Sequence, residues 1–202
     1  MRLSKFALSL LLASALGACA TAPTQEMSDA RFALRAAEDA GARDYAGKTL
    51  AAAKTTIANA EQQLESGSYI QARNYAILAR AEAMRARNIA IALAKAKQAV
   101  EESAQAHALP PGAEEALTSA RAAAEQGQGE LALAEAARAT ELARQGTNRA
   151  HLEKARQLLQ DCTDAQRAAN AEPIKKAREA ILANQGKLAE EYAQRACGGG
   201  PQ

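Results

Sequence analysis

The sequence has few aromatic side chains and no large excess of charge of one sign. Its 202 residues include no Trp, four Tyr and two Phe, and 25 Lys and Arg stand against 23 Asp and Glu. Without aromatic side chains there is no platform on which bases can stack, and without a basic face there is no track for phosphates. Nucleic acid is therefore excluded as a partner.

The sequence also lacks catalytic and metal-binding motifs. Its two histidines, His107 and His151, are far apart, and there is no H-x-x-x-H, G-x-S-x-G or phosphate-binding loop. Acidic and basic residues are plentiful, but their spacing is typical of solvated helix faces. We therefore expect a non-enzymatic protein without catalytic residues, metal or dissociable cofactor. A small-ligand binder or an enzyme is a remote alternative.

What the sequence does contain begins with an apolar run near its start. Arg2 and Lys5 precede the run, which extends from Phe6 to about Leu16. A membrane-spanning helix needs roughly 20 apolar residues, so this run is too short to cross a bilayer. A basic start, a short apolar run and small residues after it are typical of a secretory signal.

The end of this signal resembles the bacterial lipobox, in which Leu and two small residues precede a Cys. Here the motif is Leu16-Gly17-Ala18-Cys19. The resemblance implies cleavage between Ala18 and Cys19, S-diacylglycerol on the thiol and an acyl group on the new amine. Two or three acyl chains hold a protein stably on a membrane, whereas one chain binds marginally. The alternative is an ordinary secretory signal in which Cys19 is incidental.

Removing residues 1–18 as a signal lowers the formal net charge of the chain from +2 to zero. The signal carries two cations and no acid, so 23 Lys and Arg and 23 Asp and Glu remain.

Residues 19–26 are then a short tether. Because Ala20 rather than Asp follows Cys19, resemblance to lipoprotein sorting favours the outer membrane, with the protein facing the periplasm.

Once Cys19 is assigned to lipid, Cys162 and Cys197 form an even pair in an oxidising compartment. We predict a disulfide between them. A metal site or a redox pair is the competing interpretation, but there is no C-x-x-C and both histidines are distant in sequence.

Alanine dominates the composition, with 56 of 202 residues. Alanine is the best helix former, Trp is absent and β-branched residues are sparse, so the mature chain is predicted to be all-α. An alanine core buries little area per residue. It favours the close approach of helices in an elongated antiparallel bundle.

A repeat with a period of about 60 residues organises the predicted helices. Residues 65–83 align with residues 125–143, matching Gly67 with Gly127 and four alanines with four alanines, and residues 184–197 form a weaker third copy about Gly186. Each copy is interpreted as helix, tight Gly turn, helix. One helix is expected from about 69 to 107, ended by the prolines of 109–112.

The expected organisation after the tether is a repeat unit at 27–108, a second at 109–170 and a C-terminal hairpin with a tail at 171–202. A helix beginning near 129 either continues to about 170, as the period suggests, or breaks at 146–148, where Gly146 is followed by a Thr that could cap a new helix. The helix pairs are loosely similar to tetratricopeptide packing, although the period is far from 34 residues.

Residues 31–90 resemble the bacterial domain-of-unknown-function family 4398. The shared features are Ala-x-x-Ala-Gly-Ala at 37–42, Tyr45-Ala46, and Gly-x-Tyr-x-x-Ala-Arg at 67–73, whereas Gly47 stands where the family often has Pro. The resemblance implies an envelope lipoprotein and supplies no catalytic residues.

These observations predict a lipid-anchored periplasmic scaffold or adaptor that binds an envelope protein or peptidoglycan. The alternative is a self-associating coiled-coil lipoprotein, a homo-oligomer sharing its alanine seam. Tyr69 and Tyr75 are the candidate partner contacts, and packing around the turns is the more ordinary role for them.

Overall fold

The computed structural model describes residues 21–198, and the prediction of an all-α fold is confirmed. This part of the chain contains no strand. Its helices, in chain order, are α1 Thr24–Asp39, α2 Ala42–Tyr45, α3 Gly47–Glu65, α4 Tyr69–Gln105, α5 Ala113–Glu125, α6 Gly129–Asp161, α7 Asp164–Ala169, α8 Ala171–Leu182 and α9 Gly186–Cys197.

The chain divides into two compact units between Arg87 and Asn88. Unit 1 consists of α1–α3 and the first part of α4. Its helices meet through small residues, with a few larger side chains filling the space between them. The core clusters are Met27, Ala30, Ile57, Ala60, Ala76 and Ala79, and Ala33, Ala53 and Ala83. Because most of these side chains end at Cβ, the helix backbones approach closely.

The Gly turns of the repeat form as predicted, and each reverses the chain between two helices. Gly67 lies between α3 and α4 with a φ of 75°, and Gly127 lies between α5 and α6 with a φ of 78°. These left-handed conformations are strained for other residues. The alanines that follow each turn are buried in the seam of the next helix.

The third copy aligns differently from the prediction. Asn184, with a φ of 56°, occupies the left-handed position, whereas Gly186 begins α9 and corresponds to Gly129 at the start of α6. Asn adopts this conformation more readily than other residues with a side chain. The seam alanines keep the predicted spacing and are buried, at Ala189, Ala193 and Ala196.

In unit 2, α5 and α6 form a hairpin, and α6 continues without a break through residues 146–148. The predicted alternative of a Thr cap at this point is wrong. Thr147 Oγ1 instead donates a hydrogen bond to the carbonyl of Ala143, 3.1 Å away within the same helix. Gly146 is needed for a different reason: a Cβ there would lie 2.8 Å from Pro110 Cδ and would clash with the Ala108 carbonyl.

The predicted continuation of α6 to about 170 is also not observed, because the helix ends at Asp161 and the chain turns. Thr163 then caps α7: its Oγ1 accepts a hydrogen bond from the backbone N–H of Gln166. Beyond it, α8 and α9 pack on the last turns of α6. Their shared core is Leu152, Ala155, Ala177, Ala180, Ala189 and Ala193.

Candidate functional site

The predicted lipidation and cleavage positions, Cys19 and Ala18, lie outside the described residues. The described chain begins five residues before the end of the predicted tether and enters α1 at Thr24. Among residues 21–198, no helix is long and apolar enough to cross a membrane.

The two tyrosines proposed as partner contacts lie at the start of α4. Tyr69 is the first residue of the helix and is partly buried, and Tyr75 is 37 % exposed. At 100° per residue, Tyr75 faces away from the most exposed apolar side chains of the helix. The structure therefore does not gather these two rings into one surface.

A larger apolar surface, which was not predicted from the sequence, lies elsewhere on unit 1. Ile70, Ile77 and Met84 of α4 are 64 %, 54 % and 47 % exposed, and Phe32 of α1 is 69 % exposed. We call Ile70, Ile77 and Met84 the outer row. Its residues recur every seven positions, so they lie along one line of the helix, opposite the buried alanine seam. That spacing is visible in the sequence and is the signal that could have found them.

Arginines alternate with the outer row. Arg73, Arg80 and Arg87 each follow a row residue by three positions, which places them beside the row on the side of α1. Arg73 Nε lies 2.7 Å from Glu26 Oε1, and Arg80 Nη1 lies 3.6 Å from Asp29 Oδ2.

Two arginines of this surface are left without a carboxylate. Within residues 21–198, neither Arg87 nor the exposed Arg85, on the other side of Met84, has an ion-pair partner. The first part of α4 carries four arginines and one acid, Glu82. The surface is therefore apolar along its centre and basic at its far end.

A groove of about 230 Å³ runs between α1 and α4 beside this row. Its lining is Asp29, Phe32, Ala33 and Ala36 of α1 and Arg80, Met84 and Arg87 of α4. The small alanines leave room for a side chain from outside, and Phe32 and Met84 offer it apolar contact. We call the outer row, this groove and the flanking arginines the outer face.

A second cluster of functional groups lies in unit 2, where α9 packs on α6. Glu190 is buried, with 9 % of its surface exposed. Its Oε2 lies 2.5 Å from His151 Nδ1, and its Oε1 lies 2.6 Å from Lys154 Nζ and accepts a hydrogen bond from Gln194 Nε2. Burial raises the pKa of Glu190. The hydrogen bonds from Lys154 and His151 lower the pKa by more than burial raises it, so the pKa of Glu190 lies below its ordinary value.

This cluster joins α9 to α6. Every oxygen of the Glu190 carboxylate is engaged by a donor of the same unit. Beside it, the Asn148 side chain accepts a hydrogen bond from the N–H of Gly186 and donates one to the carbonyl of Asn184. Among residues 21–198, no three His, Cys, Asp or Glu residues are grouped as metal ligands.

The structure joins Cys162 to Cys197, the pairing that the sequence predicts. The two Cα atoms are 4.9 Å apart. Both cysteines pack with Ile174 and Ala196 in a small apolar cluster at the ends of α6 and α9. The bond closes the C-terminal hairpin against α6 and leaves neither thiol free.

Comparison with known proteins identifies the region that carries the outer face. Residues 25–108 match DUF4398, a domain of unknown function. The resemblance predicted from the residues is confirmed. The DUF4398 region starts one residue inside α1 and ends three residues after α4, so it includes all of the outer face. No curated protein and no solved structure gives a significant match to the chain.

Proposed function

We propose that the chain is a lipid-anchored, non-enzymatic helical scaffold or adaptor of the bacterial outer membrane, facing the periplasm. The anchor is the acylated and diacylglycerol-bearing Cys19. The partner is an envelope protein or peptidoglycan, and the DUF4398 region provides the binding surface.

The observation that carries this proposal is the outer face. Four large apolar side chains of one helix pair are about half exposed or more, although the same helices bury nearly all the alanines of their inner seam. Exposed apolar patches bordered by polar residues are typical of protein interaction sites. An alanine-rich protein with few large apolar residues gains nothing for its own stability by exposing four of them.

The remaining functional groups support a binding role rather than a catalytic one. Glu190, His151 and Lys154 are engaged with one another, and both cysteines are joined. These groups fasten α9 to α6. The tether is also suited to an anchor: the five residues from Cys19 to Thr24 span at most about 17 Å, which would hold α1 close to the membrane surface.

Lipid labelling tests the anchor. Cells that express the Cys19→Ser variant and the natural chain are grown with an alkyne analogue of palmitate, and the protein is then coupled to a fluorophore. We expect label on the natural chain, which sediments with outer membranes, and no label on the variant. The double variant Cys162→Ser/Cys197→Ser is the matched control and keeps its label. Label that survives Cys19→Ser contradicts the proposal.

A deletion tests the scaffold role. Cells without the chain should show altered permeability to detergent or altered recovery of the proteins that co-purify with it, and the natural gene should restore both. A strain with unchanged permeability and an unchanged set of co-purifying proteins contradicts the scaffold role, whatever the result of the labelling.

A further inference from the structure

We propose that the outer face docks an acidic amphipathic helix of a partner protein. This inference rests on the proposed adaptor function and names the chemistry of its partner. The helix would lie along α4 beside α1, cover Ile70, Ile77 and Met84 with its apolar stripe, and present Asp or Glu to Arg85 and Arg87.

The spacing of the outer face is that of a helix-binding seam. Ile70, Arg73, Ile77, Arg80, Met84 and Arg87 follow one another at intervals of three and four residues. In a coiled coil these are the positions that face the partner helix. A strict seven-residue repeat is the period that keeps two helices in contact through a left-handed supercoil. From Ile70 to Arg87 the seam is about 25 Å long at 1.5 Å per residue.

The shape of the surface also favours a helix. The groove between α1 and α4 is lined by two alanines, Ala33 and Ala36, and by the large apolar side chains Phe32 and Met84. The small alanines leave room for a side chain of an incoming helix beside Phe32 and Met84. Phe32 is 69 % exposed and would be covered by such a helix.

The charges specify an acidic partner. Arg73 and Arg80 already have carboxylate neighbours on α1, Glu26 and Asp29. Arg85 and Arg87 have none within the described chain, and Arg87 lines the groove itself. Burying these guanidinium groups under a neutral or basic helix would leave them unpaired, which is costly. A helix with Asp or Glu beside its apolar stripe pairs them.

The same charges disfavour a second copy of this chain. Pairing two outer faces would bring together four arginines without a carboxylate, Arg85 and Arg87 from each copy, and like charges oppose association. A membrane surface is disfavoured for a different reason. Glu26 and Asp29 lie on the same face, and anionic headgroups would meet these carboxylates as well as the arginines. A flat bilayer also would not fill the groove between α1 and α4.

A pair of synthetic peptides tests the docking site. Both are 28-residue helices with Leu every seven residues; one has Glu at the flanking positions and the other has Lys. The full chain, as purified from cells, is titrated into each fluorescent peptide and anisotropy is measured. We expect the Glu peptide to bind at least roughly tenfold more tightly than the Lys peptide, with affinity that falls as salt is added.

Charge reversal makes the test specific. The double variant Arg85→Glu/Arg87→Glu should lose the Glu peptide and gain the Lys peptide. The control Arg121→Glu/Arg149→Glu makes the same change of net charge at exposed positions of unit 2 and should bind as the natural chain does. Ile77→Ser should weaken both peptides. Circular dichroism and the thermal midpoint, unchanged in each variant, show that the fold is retained.

Other occupants are distinguished in the same experiment. The inference is overturned if both peptides bind equally, if charge reversal does not exchange their order, or if Ile77→Ser has no effect. It is also overturned if a photo-crosslinker at Ile77 joins two copies of the chain, or if vesicles of phosphatidylglycerol displace the Glu peptide. None of these results depends on Cys19, so a failure of the anchor and a failure of the docking site are separately visible.

Discussion

Unit 1 and the C-terminal part of unit 2 each have an alanine-rich core, but they differ in the contacts that hold their helices together. Unit 1 is joined at its surface by ion pairs, such as that of the exposed Arg31 and Glu61 and that of Lys54 with the partly buried Glu38. The C-terminal part of unit 2 has a disulfide and a buried carboxylate, Glu190, between α6 and α9. Unit 1 instead exposes Phe32 and the outer row beside one groove.

The difference indicates a division of roles within the chain. Exposed ion pairs contribute little to stability, with a median below about 1 kcal/mol. Unit 1 therefore depends on packing and exposes the outer face, for which a partner is proposed, whereas the C-terminal helices are held by covalent and buried polar contacts. The DUF4398 match, at residues 25–108, covers unit 1 from Gln25 onward and stops before α5. Variants that alter either kind of fastening test this comparison.

The largest effect is expected from removing the disulfide. Its cysteines are 35 residues apart in sequence, and closing a loop of this length stabilises a fold by about 4 kcal/mol in the chain-entropy model. In Cys162→Ser/Cys197→Ser, hydrogen exchange of the α9 amides should accelerate strongly while that of α1 and α3 does not. Exposure of the natural chain to dithiothreitol should give the same pattern. Acceleration that is equal in unit 1 would remove the contrast between the units.

Replacing either of two glycines by Ala is expected to change the free energy of unfolding in opposite directions. Gly to Ala within a helix usually stabilises it by about 1 kcal/mol. At Gly146 the new Cβ would clash with the Ala108 backbone, so Gly146→Ala should destabilise the fold by about 1–3 kcal/mol. At Gly47 in unit 1 nothing lies within 4 Å of the new Cβ, and Gly47→Ala should stabilise it by about 0.4–1 kcal/mol. Urea unfolding compares the two, and stabilisation by both would contradict the close packing at Gly146.

The buried carboxylate gives the third effect, which depends on pH. Glu190→Gln removes the pairs with Lys154 and His151 and should cost about 1–3 kcal/mol at neutral pH. Because the pKa of Glu190 is lowered in the folded state, its contribution is fully present above the unfolded pKa. It is lost as pH falls below about 4.5 and through the lowered value. The difference in thermal midpoint between the natural chain and the variant should therefore shrink in acid.

An exposed carboxylate is the matched control for this effect. Hydrogen bonds from Arg144 and Gln145 lower the pKa of Glu141 to about 2, although its side chain is exposed. Solvent screens this pair, so Glu141→Gln should leave the thermal midpoint at neutral pH unchanged. A loss as large as that of Glu190→Gln would show that burial does not explain the importance of the α6–α9 cluster.

The features that sequence alone predicted were those specified locally. The turns at Gly67 and Gly127 follow from residues that adopt a left-handed conformation, and α4 is observed within two residues of its predicted ends. Both Gly and Asn adopt the left-handed conformation, and here the prediction was wrong: Asn184 rather than Gly186 has this conformation in the third turn. The pairing of Cys162 with Cys197 followed from counting.

Features specified by tertiary neighbours were not predictable. In the sequence, Gly146 suggested a helix break. In the structure, a glycine is needed there because the Ala108 backbone passes too close for a side chain. His151 and Glu190 are 39 residues apart, and no local pattern joins them. The outer row was visible as a seven-residue spacing, yet α4 has apolar residues on two opposed faces. Only the positions of α1 and α3 decide which face is buried, so the sequence pointed to Tyr69 and Tyr75 as candidate partner contacts instead.

Only a small effect is expected from the surface pair of unit 1. Arg31 Nη2 lies 2.8 Å from Glu61 Oε1, and the two side chains are 54 % and 44 % exposed. A double-mutant cycle with Arg31→Ala and Glu61→Ala should give a coupling of about 0.5 kcal/mol or less by urea unfolding, reduced further at high salt. If the coupling instead exceeded the cost of Glu190→Gln, unit 1 would be fastened by its surface charges as firmly as α9 is by Glu190. The arginines of its outer face would then contribute to the stability of the fold itself and would not be left for a partner.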